Sequence, residues 1–187
     1  GYSAETVRPE YRGGIGELGV EAIIRFVADG GTLITLGAAS DLAIDRLPIP
    51  VRNLKRTLRR EQHYAPGTIL NLQIDPSHPL SQGLAPETFA FYTNSPFFAA
   101  IDGFTSYKTT VAARFPAVNV VASGWLQGEE LMAGRAAVVS IDMNPGRVVL
   151  FGIRPQHRGQ THATFPLLFN ALYQAAADAG GVRSTNQ

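Results

Sequence analysis

The chain has 187 residues, with 16 Lys plus Arg against 15 Asp plus Glu, a formal charge of +1, and no cysteine. That length can bury the core of one sizeable α/β domain. The charge balance makes no global case for nucleic acid or an anionic membrane, and the lack of cysteine excludes disulfides, thiolate zinc sites and a cysteine nucleophile.

The opening GYSAETVRPEY shows no charged-then-apolar leader and no first strand, so a piece of a longer protein is expected. Next, ELGVEAIIRFVADGG predicts a helix. Val20, Ile23, Ile24 and Val27 share one face at i, i+3, i+4, i+7 spacing, and Asp29-Gly30-Gly31 ends it. TLITLG follows as a short β-branched strand without polar alternation, the pattern of burial on both faces. Helix, glycine cap and buried strand form half of a βαβ unit and imply a parallel sheet. After the turn Gly37-Ala38-Ala39, Ser40 or Asp41 is positioned to cap a short helix through LAIDRL. LPIP breaks the chain, and VRNLKRTLRREQ reads as an amphipathic basic helix.

GTILNLQID and TFAFYT are strand candidates in a stretch richer in Pro, Gly and Asn, and TTVAARF, NVVASGW, RAAVVSID and GRVVLFGI are later ones. The last two flank the turn signal MNPG and predict a hairpin. THATFPLLFNALYQAAAD predicts a final helix with Phe165, Leu168, Phe169 and Leu172 on one face. Pro166 fits only within its first turn. GGVRSTNQ reads as a frayed tail. No apolar run approaches the ~18 residues of a membrane span. With no repeat and no linker, residues 1–187 are expected to form a single domain.

Several motifs invite a chemical reading. Gly14 to Gly19 match G-x-G-x-x-G, but the dinucleotide fingerprint needs a strand before the glycines, and VRPEYRG with Pro9 does not supply one. A flexible loop leading into the helix is the better expectation. Arg52, Lys55, Arg56, Arg59 and Arg60 would line one face of the basic helix, as a solvated face, a docking face or an RNA contact, in that order. The four histidines, His63, His78, His157 and His162, make no recognisable metal set. Ser40 follows a buried strand, where α/β enzymes place a nucleophile, but LGAASDLA lacks the G-x-S-x-G elbow and helix capping is simpler. RPQHRGQTH (154–162) joins a buried strand to the last helix, and Thr161 is a candidate cap with His162 in the first turn. Arg154 and Arg158 carry two-pronged donors for carboxylates or phosphates, and His157 can move a proton near neutral pH.

The stretch YRGGIGELGVEAIIRFVADGGTLITLGAASDLA, with SGWLQGEE, GRAAVV and GIRPQHRGQTH, resembles the C-terminal domain of certain bacterial proteins of the zinc carboxypeptidase (carboxypeptidase A-like) family. The resemblance covers about Tyr11 to Tyr173. It implies a domain similar to class I glutamine amidotransferases: α/β, flavodoxin-like, with a mostly parallel sheet flanked by helices and a C-terminal β-hairpin followed by a helix. In such proteins a peptidase domain precedes this one. The zinc ligands of that domain, H-x-x-E with a distant His, are not found here, so zinc is expected only there and no cofactor or metal in this chain. The amidotransferase cysteine would fall at Gly37-Ala38-Ala39, and without a thiolate glutamine hydrolysis is not expected.

The resemblance therefore implies a non-catalytic accessory domain that supports domain docking, oligomerisation or substrate access. Its expected partners are a covalently linked peptidase domain and, as an option, further copies of itself, with neither nucleic acid nor membrane. The parent is expected to be secreted or periplasmic. The alternative is a small-anion or small-ligand site, or a cryptic hydrolase, at the C-terminal edge of the sheet. Its ligand or domain contacts would be Ser40, Arg154, Gln156, His157, Arg158, Gln160 and His162, with no catalytic residue assigned.

Overall fold

The computed structural model describes residues 5–101 and 106–184, so the first four residues and the last three of the tail lie outside the described part. The elements in chain order are α1 (Gly16–Ala28), β1 (Thr32–Leu36), α2 (Ser40–Arg46), β2 (Val51–Asn53), β3 (Thr68–Ile74), β4 (Glu87–Tyr92), β5 (Phe98–Ala100), β6 (Lys108–Arg114), β7 (Val121–Ser123), α3 (Glu129–Met132), β8 (Ala136–Asp142), β9 (Arg147–Phe151) and α4 (Phe165–Ser184). The strands form one mixed sheet whose main path runs β1-β9-β8-β6-β3-β4. From this path β5 joins β8, β2 joins β5, and β7 joins β3.

The sheet is covered on both faces. Along β9, Val148 and Leu150 point into one cluster with Val27 of α1 and Ala43 of α2. Val149 and Phe151 point into the other, with Leu167 and Ala171 of α4. Period-two alternation in a strand apolar on both sides produces this three-layer packing. Truncating Leu167, which is fully buried, would cost about 2–5 kcal/mol.

The expected helix, strand and hairpin around β1, β8 and β9 are present. β1 pairs in parallel with β9, from Thr32 opposite Arg147 to Leu36 opposite Phe151. β8 and β9 form the antiparallel hairpin across the MNPG turn. Gly30, at φ 100°, closes α1 with its N–H on the Val27 carbonyl at 3.1 Å. The proportion of parallel pairing differs from expectation: among the described strands only β1–β9 is parallel, and every other pairing is antiparallel. Residues 51–142 supply short strands without crossover helices, and such strands pair most readily as meanders and hairpins. β1 is also less buried than its composition suggests, because it is the terminal strand of the path.

Two further expectations are corrected, and the structure adds which side of α4 is covered. The basic segment 51–62 is not a helix but strand β2, a 3-10 turn at Leu54–Thr57 and a second turn. Pro48 and Pro50 precede it, β2 gains a ladder with β5, and the Asn53 side chain accepts the Lys55 N–H at 3.0 Å. Its cations consequently do not form one stripe: Arg56 pairs with Asp45 at 2.5 Å, and Arg60 stacks over Tyr64 at 4.1 Å. On α4 the buried positions are Leu167 and Ala171, whereas Phe169 and Leu172 are each 49% exposed. The amide of Asn170 ties the helix to the turn after β3, donating to the Leu80 and Gln82 carbonyls at 2.9 Å each. Finally, α4 continues through Gly180 and Gly181 to Ser184, into the expected frayed tail.

Pro166 lies in the first turn of α4, as its ring requires. The glycine-rich stretch 14–19 is preceded by a 3-10 turn at Pro9–Tyr11 and not by a strand, so it is the loop leading into α1.

Candidate functional site at the carboxyl edge of the sheet

β1 and β9 run side by side and end together, which defines the edge where open α/β sheets collect ligand groups. Beyond β1 the chain turns at Gly37, at φ 58°, into a 3-10 turn over Gly37–Ala39 and then α2. The left-handed backbone here suits glycine and strains any L side chain. Beyond β9 comes Gly152, where a Cβ would collide with the Pro96 carbonyl oxygen and approach the Ala137 carbonyl to 3.1 Å. This close approach lets the β4–β5 connection lie across the strand ends. Ser95 and Arg154 are thereby brought against the elbow: a Cβ on Gly37 would stand 3.6 Å from the Ser95 hydroxyl and 3.8 Å from Arg154 Nε.

Ser40 is not at this surface. It is fully buried, and its hydroxyl lies 3.0 Å from that of Thr35. Nor does it cap α2: the residue before the helix is Ala39, and no side chain caps it. Asp41 instead accepts a hydrogen bond from Asn53 Nδ2 at 2.9 Å. The short loop leaves the Ser40 side chain pointing back into β1, where the Thr35 hydroxyl satisfies it.

The polar loop 154–162 is divided by the fold. Arg154 faces the elbow, while His157 stacks flat on Phe91 of β4, with ring centroids 4.8 Å apart and 4° between planes. Thr161 does not cap with its side chain; its hydroxyl donates to the Phe89 carbonyl at 2.7 Å and so ties the loop to β4. The Thr164 hydroxyl donates to the Pro155 carbonyl at 2.9 Å. His162 is exposed in the turn before α4, tilted against Phe165 at 5.2 Å. Gln156, Arg158 and Gln160 are exposed, and Arg158 takes φ 49°. The structure thus gathers Gly37, Ser95 and Arg154 at the elbow, and places His157 and His162 on the β4 and α4 side.

Behind the edge lies His63. It is 2% exposed, packed against Phe97 at 5.2 Å and edge-on to Tyr92 at 6.0 Å, and neither ring nitrogen has a hydrogen-bond partner. Burial, reinforced by the Lys55 charge, lowers its pKa to about 4, so the ring is neutral at physiological pH. Burial likewise pushes the Tyr92 phenol far up, and its hydroxyl donates to the Ser95 carbonyl at 2.5 Å, bracing the loop that carries Ser95. Among the described residues no group of three His, Asp or Glu side chains could hold a metal ion, and no helix is long and apolar enough to cross a membrane.

The architecture has counterparts among solved structures. A protein described as a GMP synthase subunit from Thermoplasma acidophilum superposes with a TM-score of 0.55 at 10% identity, over 88% of this chain and 68% of that one. A ThuA-like protein from Bacteroides uniformis gives 0.49 at 12% identity, over 87% and 65%. The β-galactosidase of Bacillus circulans sp. alkalophilus gives 0.49 at 15% identity, over 84% of this chain but 20% of that one. The fold is α/β and class I glutamine amidotransferase-like. No family model and no curated protein matches the chain.

Two residues of the edge were not read from the sequence. Ser95 stands in YTNSPFF, a turn signal with no chemical signature, and reaches Gly37 only because Gly152 admits the loop. Phe91, in TFAFYT, is one of a strand's alternating apolar residues, and its stacking on His157 depends on a contact 66 positions away.

Proposed function

We propose that this chain is a non-catalytic, amidotransferase-like accessory domain whose carboxyl edge makes an anion contact through Arg154. The observation that carries the reading is the elbow. Where a class I amidotransferase would present its cysteine, this chain has Gly37 in a left-handed turn, followed by two alanines, with Arg154 Nε beside it. A cation beside a position that carries no nucleophile favours holding a carboxylate or phosphate over attacking a carbonyl. The resemblance to the domain that follows a zinc carboxypeptidase-like domain supports a docking role and, with it, a secreted or periplasmic parent. Exposed apolar side chains on two helices, Leu18 and Phe26 of α1 and Phe169, Leu172 and Tyr173 of α4, give such a domain surface to cover.

The test is a thermal-shift series with phosphate, citrate, acetate and free amino acids on the chain and on Arg154→Ala, alongside an assay of ammonia release from glutamine. A carboxylate- or phosphate-dependent shift that Arg154→Ala removes, with no ammonia released, is the expected result. Glutamine hydrolysis, or shifts unchanged by Arg154→Ala, would overturn the reading.

A further inference from the structure

The sole tryptophan of the chain, Trp125, is 53% exposed. It is nevertheless firmly placed. The Thr68 hydroxyl donates to its carbonyl, and the next loop residues are stapled to residues 61–64. Tyr64 and Gln127 exchange backbone hydrogen bonds at 3.3 and 3.0 Å, and Gln127 Nε2 donates to the Glu61 carbonyl. Gly128, at φ 75°, allows the Gln62 carbonyl to lie where a side chain would be. These ties fix a cleft of about 320 Å³ lined by Arg60, Glu61, Tyr64, Trp125 and Gln127. Its two aromatic rings pack on each other as a tilted pair, centroids 6.1 Å apart at 58°, and Arg60 covers Tyr64 at 4.1 Å, which leaves a shallow wedge at the exposed side of Trp125.

The indole stands half in water on a loop whose backbone is tied in place. A wedge of this kind suits a flat face, because aromatic side chains supply contact area with few rotatable bonds to order. The polar lining narrows the ligand. One guanidinium and one carboxylate offset each other, which does not favour a nucleotide or another polyanion. Carboxylate and amide oxygens beside N–H donors suit a ligand that both donates and accepts at several points around an apolar face. A pyranose ring has that construction: axial C–H groups on its flat faces and hydroxyls at its rim.

We propose that the Tyr64–Trp125 cleft binds a neutral sugar ring, with Trp125 as the stacking platform and Glu61, Arg60 and Gln127 at the hydroxyls. The assignment uses none of the residues of the carboxyl-edge contact and stands independently of it.

Because the chain has one tryptophan, its emission reports this cleft alone. Titration with cellotriose and with tri-N-acetylchitotriose is expected to give a saturable blue-shifted change for at least one of them. Affinity should not vary with NaCl, since no net charge is neutralised. By calorimetry, Trp125→Ala should weaken binding about tenfold or more, and Arg60→Ala should weaken it less, both with unchanged circular dichroism. GMP and a proline-rich peptide serve as the other occupants of an aromatic wedge. No saturable response to either saccharide would overturn the proposal. So would saccharide binding that survives Trp125→Ala, or preferential binding of GMP or the peptide.

Discussion

His63 gives the chain a calculable acid sensitivity. Its folded pKa is about 4, against 6.5 for the free side chain. The folded state therefore resists a proton that the unfolded chain accepts. Stability is fully present above about pH 6.5 and falls as the pH drops toward 4. The whole difference corresponds to about 3 kcal/mol at 1.36 kcal/mol per pKa unit. At pH 5 the same linkage gives about 2 kcal/mol lost relative to pH 8. For a chain of this size that is a fall in Tm of about 4–8 °C. His78 contributes in the same direction, because burial lowers its pKa and its Nδ1 accepts the Leu80 N–H at 3.1 Å, a bond that protonation breaks. The decisive comparison is thus between the wild type and His63→Leu. The variant replaces two unpartnered buried nitrogens with apolar surface, so at pH 8 it should be equal to the wild type or more stable. In urea denaturation at pH 8, 6.5 and 5, the variant should lose about 2 kcal/mol less between the extremes than the wild type. Parallel pH profiles for the two proteins would refute the argument.

Other expectations follow from the same geometry. Thr35→Val leaves the buried Ser40 hydroxyl unpaired and should cost about 1–3 kcal/mol, whereas Ser40→Ala, which leaves Thr35 its bond to the Val149 carbonyl, should cost less, and the double variant should cost clearly less than the sum in a denaturation cycle. Gly37→Ala should destabilise by about 1 kcal/mol through its left-handed backbone, with the sheet intact by circular dichroism. Gly152→Ala, which drives a methyl into the Pro96 carbonyl, should cost about 3 kcal/mol or more and depress Tm far beyond the Gly37 variant. Arg147→Ala removes a half-exposed pair with Asp178 and should change stability by about 1 kcal/mol or less, measured at low salt.

Much of the fold was legible where local pattern and burial agree. α1, β1 and the β8–β9 hairpin each combine a clear period with a turn or cap signal, and each is where the pattern put it. The basic segment 51–62 misled because a helical spacing of cations is also compatible with a strand and turns, and the β2–β5 ladder decided between them. The covered side of α4 was not readable for a similar reason. The spacing of Phe165, Leu168, Phe169 and Leu172 describes an apolar stripe without saying what covers it, and the amide of Asn170 ties the helix to the turn after β3. Of the edge residues, Arg154 could be named in advance because its chemistry is visible in one letter, and it stands beside Gly37. Ser95 was not, because its importance lies in a contact made possible by Gly152, and Ser40 was misplaced because a buried hydroxyl pair has no sequence signature.

The position of β1 has a practical corollary for handling the protein. Its backbone is bonded on one side only, to β9, among the described strands. The strand reads TLITL, with none of the lysines, prolines or bulges that keep free edges apart. The neighbouring α1 exposes Leu18 at 79% and Phe26 at 54%. Self-association through this flank is the expected consequence. The apparent mass from light scattering should rise with concentration, and Thr32→Glu, opposite Arg147 at the start of the strand, should suppress that rise without altering the carboxyl edge.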